Sequence, residues 1–349
     1  MKDTMIGVDL AKNVIVLHGT SLTGEMRFRK KLSRGQFIQF MQRQPAAVFV
    51  LEACGSAHYW SRELMAYGHE VKLIAPQYVR PFVKRQKNDA ADAEAIAIAA
   101  GQPEMRFVEP KTPDQQAKAV LFRARERVVR QRTELVNALR AVLYEFGQTV
   151  PQGIVHIKRL EAVITDDAID LPDLVREECR DLLAQIDAKT NRIEAKTNRI
   201  EAKTKQLAEL SRTNVTARRL QTVPGVGPMI ALAIEAFAPA MGTFRCGRDF
   251  AAWLGLVPRQ FSSGGKERLG RVSKAGQADI RRLLIIGAMS HVRAASRKPH
   301  APGSWLARML ARKPKMPVAV ALANKMARRI WAMVTKQEDY REQALMGVV

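Results

Sequence analysis

The chain has 349 residues and a mass of 39.0 kDa, which suggests two or three domains at about 150 residues each, with room for a substantial core. Its 57 Lys and Arg against 34 Asp and Glu leave a net charge of +23. That excess excludes an acidic solvating chain and points to a polyanionic partner, either nucleic acid or an anionic membrane. Cys54, Cys179 and Cys246 are odd in number and far apart. They exclude a disulfide framework or a zinc spacing and suit a reducing, cytoplasmic setting. No apolar run approaches roughly 18 residues and no signal-peptide core is present, so neither a membrane span nor a leader is expected.

In chain order, the first hundred residues read as α/β. Met5–Asp9, Val14–His18 and Glu25–Lys30 suggest an antiparallel meander. Residues 35–43 read as a helix with Phe37, Phe40 and Met41 on one face. Ala47–Leu51 is a continuous apolar run of the kind found in a buried central strand. A helix at Ala57–Tyr67, a strand at Val71–Ile74 and a helix at Asp89–Ala100 follow, the last with Asn88 as its expected N-cap. The predicted order is β-β-β-α-β-α-β-α.

Two long helices are expected next, at 112–147 and 172–212. Within the second, Ala-Lys-Thr-Asn-Arg-Ile-Glu occurs at 188–194 and again at 195–201. A period of seven suggests a coiled coil. With Ile186, Ile193, Ile200 and Leu207 at d, positions a hold Leu183, Thr190, Thr197 and Thr204. Lys189, Lys196 and Lys203 then fall at g. This helix pairs either with residues 112–147 of the same chain or with another subunit.

After residue 213 the texture changes. Residues 1–104 carry 14 basic and 10 acidic side chains, residues 105–212 carry 20 and 17, and residues 213–349 carry 23 and 7. Val223-Pro-Gly-Val-Gly-Pro228 precedes an apolar helix at Met229–Phe237. Such a turn serves either a helix–hairpin–helix phosphate contact or a plain connection. Residues 256–270 read as a loop rich in Gly, Ser and basic residues, followed by helices at about 277–297 and 316–336.

Two constellations carry chemistry. Asp9 ends the first strand, Glu52 follows the Ala47–Leu51 strand, and Asp89 and Asp92 share one helix face. Carboxylates at buried strand ends are costly unless they bind a cation. Four of them converging would hold one or two Mg²⁺ ions for phosphoryl transfer. Taken singly, each is also readable as a turn acid or a first-turn helix acid. The second constellation is Ser262-Ser263. A serine there can attack a phosphodiester, and Arg259, Lys266, Arg268 and Arg271 can neutralise the phosphate. Bystander serines in a basic loop are the competing reading.

Ile6-Gly-Val-Asp-Leu-Ala-Lys12, Leu51-Glu-Ala-Cys-Gly55 and Lys87-Asn-Asp-Ala-Ala-Asp-Ala-Glu94 resemble the acidic motifs of the DEDD transposases of bacterial insertion sequences, family one-ten. The Thr222–Gly227 turn, the stretch from Gly255 to Gly276 and Arg281-Arg-Leu-Leu284 resemble that family's second domain. The likeness runs over nearly the whole chain in the same order.

The resemblance implies a RuvC-like domain of ribonuclease H fold at 1–104 and a basic, mostly helical transposase domain at 213–349, joined by the helical segment at 105–212 whose heptads suggest the coiled coil. It implies that Asp9, Glu52, Asp89 and Asp92 bind Mg²⁺. It also implies that Ser263, with Ser262 adjacent, forms a covalent link to DNA. Arg259, Lys266, Arg268, Arg271, Lys274, Arg281 and Arg282 become the expected nucleic-acid contacts. Donor and target DNA are the implied substrates and a non-coding bridge RNA the implied guide. A dimer, and a tetramer in the active complex, is the implied assembly, with no membrane partner. Two alternatives predict different products. A junction nuclease using water would leave free DNA ends, and a basic scaffold would bind with steep salt dependence and cut nothing.

Overall fold

The computed structural model describes residues 3–83, 89–210, 215–297 and 304–340. The expected N-cap Asn88 lies outside the described residues, as do the side chains of Ile200, Lys203, Thr204 and Leu207 in the heptads. The chain forms two compact units, Met1–Pro113 and Asp114–Val349.

The first unit runs β1 (Thr4–Leu10), β2 (Val14–Ser21), β3 (Met26–Ser33), α1 (Arg34–Arg43), β4 (Val48–Glu52), α2 (Ala57–Ala66), β5 (Glu70–Ile74), α3 (Pro76–Val79), α4 (Asp89–Ala100) and β6 (Phe107–Val108). The expected order holds, with the short α3 and β6 added. The strands form one mixed sheet ordered β3-β2-β1-β4-β5-β6. β1, β4 and β5 are parallel, whereas β2, β3 and β6 are antiparallel to their neighbours.

Alternation along the strands assigns the two faces. Ile6, Val8, Phe49 and Leu51 pack with Phe37, Met41, Trp60 and Leu64 of α1 and α2. Val48, Val50 and Ile74 pack with Ala95, Ile96 and Ala99 of α4, and Met5 lies against that cluster. α4 is rich in alanine because it must come close to β1. A Cβ on Gly7 would stand 2.3 Å from the Ala93 carbonyl oxygen.

In the second unit, α5 (Pro113–Glu145) is followed by α6 (Ile157–Thr165) and α7 (Asp173–Leu210). α5 and α7 pair as an antiparallel hairpin within the chain. Arg125 Nε donates to Thr197 Oγ1 at 2.7 Å and Arg132 Nη1 to Thr190 Oγ1 at 3.3 Å. Each threonine in turn donates to the carbonyl four residues back, of Ile193 and Ile186. The threonines that weaken an apolar seam are therefore acceptors for arginines spaced by the same seven residues. Burial pushes both guanidinium pKa values down, and Glu201 and Glu194 oppose this at Arg125 and Arg132 respectively. Ile186 and Ile193 are buried, as the heptad assignment requires. Val136, Leu139 and Leu143 of α5 close the far end of the hairpin on Leu160, Ile164 and Cys179.

A Thr197→Val substitution keeps the volume but removes the acceptor for Arg125. It should lower stability by about 1–3 kcal/mol, read as a reduced urea midpoint. An unchanged midpoint would mean that water replaces the threonine.

The remainder comprises α8 (Val215–Gln221), α9 (Pro228–Phe237), α10 (Gly247–Trp253), β7 (Pro258–Gln260), β8 (Leu269–Val272), α11 (Ala278–Ala295), α12 (Trp305–Arg312) and α13 (Lys315–Lys336). Ala119 and Phe122 of α5 share a core with α9, α10, α11 and α13. The turn between α8 and α9 crosses α11 glycine to glycine. Gly225 has φ +88°, and a Cβ there would stand 2.8 Å from the Gly287 carbonyl oxygen. This glycine is thus required by packing.

Candidate functional site

The acids form two pairs. Val8 of β1 lies opposite Leu51 of β4 in parallel register, so Asp9 and Glu52 follow one step later at neighbouring strand ends. Period two puts Asp9 on the face of Gly7, and Glu52 on the face of Val48 and Val50, which is the α4 face for both. Burial raises the Cys54 thiol pKa, and the negative charges of Glu52 and Asp9 raise it further.

Asp89 and Asp92 occupy the first turn of α4, where the helix dipole favours anions. α4 covers β1 in order. Met5 lies against the cluster that holds Ala95, Ile96 and Ala99, whereas Gly7 lies under Ala93 and Ala97. Asp9, two residues on, is thereby directed toward the first turn. The neighbouring Glu94 is paired with Arg29 at 2.9 Å. All four candidate donors are carboxylates, the set that suits a hard cation such as Mg²⁺. Among the described residues, however, no group of three or more Asp, Glu, His or Cys is close enough to hold a metal ion. The donor chemistry fits, but the spacing is that of two pairs and not of a closed cage.

The glycine- and serine-rich stretch is not the loop expected from its composition. It is a β-hairpin, with Pro258 opposite Val272 and Gln260 opposite Leu269. Its tip is a two-residue turn. Lys266 N donates to Ser263 O at 3.1 Å, Ser263 and Lys266 form a bridge, and Gly264 and Gly265 have φ of +57° and +76°. Positive φ at both central positions defines a type I′ turn, which matches the twist of a hairpin and favours glycine. The Phe261 ring lies where a Cβ on Gly270 would stand, covering the bare backbone of the facing strand.

The base is fixed by close backbone crossings. A Cβ on Gly255 would stand 2.1 Å from Ala275 O, and one on Gly276 2.1 Å from Trp253 O. Gln277 then caps α11, its side chain accepting from Ile280 N at 3.0 Å.

The two serines are distinguished by their partners. Ser262 Oγ accepts from Arg268 N and from Gln260 Nε2, each at 3.2 Å. Ser263 is exposed at the start of the turn, and its hydroxyl has no partner among the described residues. Arg259, Lys266, Arg268, Arg271 and Lys274 are all exposed, Lys266 and Arg268 at or next to the turn and the others toward the base of the hairpin. Arg259 makes one long contact, 3.5 Å, to Ser273 O.

Arg281 and Arg282 differ from the others. Arg281 Nη1 donates to Leu254 O at 2.9 Å, and Arg282 is ion-paired with Glu126 of α5. Burial lowers both pKa values, with the Arg125 charge adding to the effect at Arg282. These two guanidinium groups tie α11 to its neighbours. No helix among the described residues is long and apolar enough to cross a membrane.

Comparison with known proteins agrees across both units. Residues 6–147 match the IS110-type DEDD family described as a transposase, and residues 217–301 match the family described as "Transposase IS116/IS110/IS902 family". The chain is 43% identical over 343 residues to a "Probable family 20 transposase" of Pseudomonas aeruginosa, covering 98% of this chain and 99% of the relative. It is 40% identical over 340 residues to the transposase for insertion sequence element IS1328 of Yersinia enterocolitica, covering 95% and 97%. It is 38% identical over 343 residues to the transposase for insertion sequence element IS1111A of Coxiella burnetii, covering 98% and 92%.

Proposed function

Since the chain belongs to the IS110 family of insertion-sequence transposases, we propose that it cuts and rejoins donor and target DNA through a covalent link to Ser263. The observation that carries this reading is the exposed, unpartnered Ser263 hydroxyl at the tip of a hairpin whose strands and turn carry exposed cations. In the step, Ser263 Oγ bonds to phosphorus while the bond from phosphorus to a sugar oxygen breaks, and that oxygen leaves carrying a proton. Attack by a strand hydroxyl reverses the exchange and restores the serine. The phosphodiester energy is conserved, so no nucleotide cofactor is required.

Arg259, Lys266, Arg268, Arg271 and Lys274 neutralise the phosphates along the strand. Arg281 and Arg282 lie near the start of α11 and tie it to Leu254 O and to Glu126 of α5. The sheet order, with β1, β4 and β5 parallel and β2 antiparallel, supports a RuvC-like, ribonuclease H-type reading of the first unit. Asp9, Glu52, Asp89 and Asp92 are the residues that would hold Mg²⁺. When bound, the ion supplies positive charge to the scissile phosphate. A guiding bridge RNA and assembly into dimers and tetramers belong to the same proposal. Their support is the excess of basic residues after residue 213 and the family relationship.

The test is the fate of end-labelled DNA carrying the insertion sequence's own ends. Incubated with the protein and Mg²⁺ and then denatured, the label should migrate with the protein. Free cut ends with no attached protein would instead indicate hydrolysis by water at the acidic edge, the reading that the sheet-end carboxylates alone favour. Asp9→Asn should abolish cutting while leaving DNA binding intact, checked by the same gel and by a mobility shift.

A further inference from the structure

α10, α12 and α13 line an open cleft of about 850 Å³, within the roughly 300–1,000 Å³ of small-ligand sites. Its walls combine flat rings with cations. Lys325 Nζ lies 4.8 Å from the Trp305 ring centroid, and the Arg329 guanidinium lies 5.0 Å from that of Tyr340. Arg329 also donates to Tyr340 Oη at 2.9 Å. Arg248 and Arg328 line the same space, and no ion pair engages Lys325, Arg248 or Arg328 among the described residues. The two acids at the rim are Glu338 and Asp339, and Asp339 is already paired with Arg219. α10 comes close because Gly247 lies against the Arg328 backbone, where a Cβ would stand 2.9 Å from Arg328 O.

Cations gathered in a concave site without matching acids call for an anion. Aromatic faces beside them call for a planar partner, and the combination is that of single-stranded nucleic-acid grooves. A duplex presents its bases stacked and edge-on, so an open cleft that sets half-buried aromatic rings beside cations suits a base that has left a stack. We infer that this cleft binds an unpaired nucleotide of RNA or DNA, the base against Trp305 and the flanking phosphates on Lys325, Arg328 and Arg248. Burial depresses the Lys325 ammonium, and the charges of Arg329, Arg308 and Arg328 act in the same direction, as expected of a site that gains from an incoming anion. The inference is independent of the serine assignment, since it concerns other residues and another surface.

The experiment measures fluorescence anisotropy of labelled oligonucleotides of about a dozen nucleotides on the full chain. U-only RNA, T-only DNA and a duplex of mixed sequence are compared. Lys325→Gln/Arg328→Gln should weaken single-strand binding by roughly tenfold or more and flatten its salt dependence, while duplex binding changes little. Whichever single strand loses more identifies the physiological source. Trp305→Phe should diminish the tryptophan quenching that accompanies binding, and thermal melting verifies that each variant is folded. Equal single-strand affinity in the double variant would overturn the inference. So would displacement of the single strand by polyglutamate as readily as by unlabelled oligonucleotide, since that would mark a site for anions alone.

Discussion

Ser263→Ala should eliminate the covalent protein–DNA adduct, lowering its yield by about 10³-fold or more, as loss of a nucleophile does in other covalent catalysts. The fold should be untouched, because the Ser263 hydroxyl has no partner among the described residues and only its backbone holds the turn. Ser262→Ala gives the contrasting outcome. It removes the acceptor for Arg268 N and Gln260 Nε2, loosens the hairpin by about 1 kcal/mol and slows adduct formation without abolishing it. A denaturing gel of labelled DNA separates the two. Survival of the adduct in Ser263→Ala together with its loss in Ser262→Ala would move the nucleophile by one residue. Adducts in both variants would remove the serine pair from the mechanism.

Gly7→Ala should be the most damaging single methyl in the first unit. The added Cβ would stand 2.3 Å from Ala93 O and 2.9 Å from Ala97 N. Both are backbone atoms that cannot rotate away, so α4 must lift from β1. Overpacking of this kind costs about 1–3 kcal/mol, and here it also carries Asp89 and Asp92 away from the strand ends. Stability and DNA cleavage should therefore fall together, measured by chemical denaturation and by the labelled-DNA assay. Gly35→Ala is the control. Gly35 sits in the first turn of α1, where an added Cβ would meet nothing within 4 Å, and alanine there should be neutral or slightly stabilising. Equal effects of the two changes would show that the close crossing is not what positions α4.

Much of this architecture is legible in the sequence, and the gaps have physical causes. The strands through Ile74 and the long helices have hydrophobic periods that survive without knowledge of their partners. β6 has two residues and depends on pairing with Leu73 and Ile74, so no periodicity could reveal it. The hairpin carrying Ser263 has largely exposed strands, which erases the in–out alternation that marks a half-buried sheet. Its one local signal is the Gly264-Gly265 pair flanked by polar residues, the composition a type I′ turn demands. α10 and α12 are short and gain their stability from packing, so propensity alone does not find them.

The site was partly legible for the same reasons. Asp9 and Glu52 share a face because strand alternation and parallel register dictate it. Arg281 and Arg282 follow no such rule. Next to a basic hairpin they read as contacts for nucleic acid, and the fold also gives them Leu254 O and Glu126 as partners. Partners so distant in sequence exist only after folding.

The duplicated heptad in α7 has a consequence for the hairpin it forms. Residues 188–194 and 195–201 are identical, so sliding α7 along α5 by one repeat, about 10.5 Å at 1.5 Å per residue, would offer Arg125 another threonine in an equivalent setting. The repeated stretch supplies reach but cannot encode an address. Alignment must come from the unrepeated end, where Leu139 and Leu143 meet Ile164 and Cys179. An arm built this way can gain or lose whole seven-residue repeats, about two helical turns each, while its anchor stays fixed, much as a telescoping rod is set by its clamp and not by its tubes.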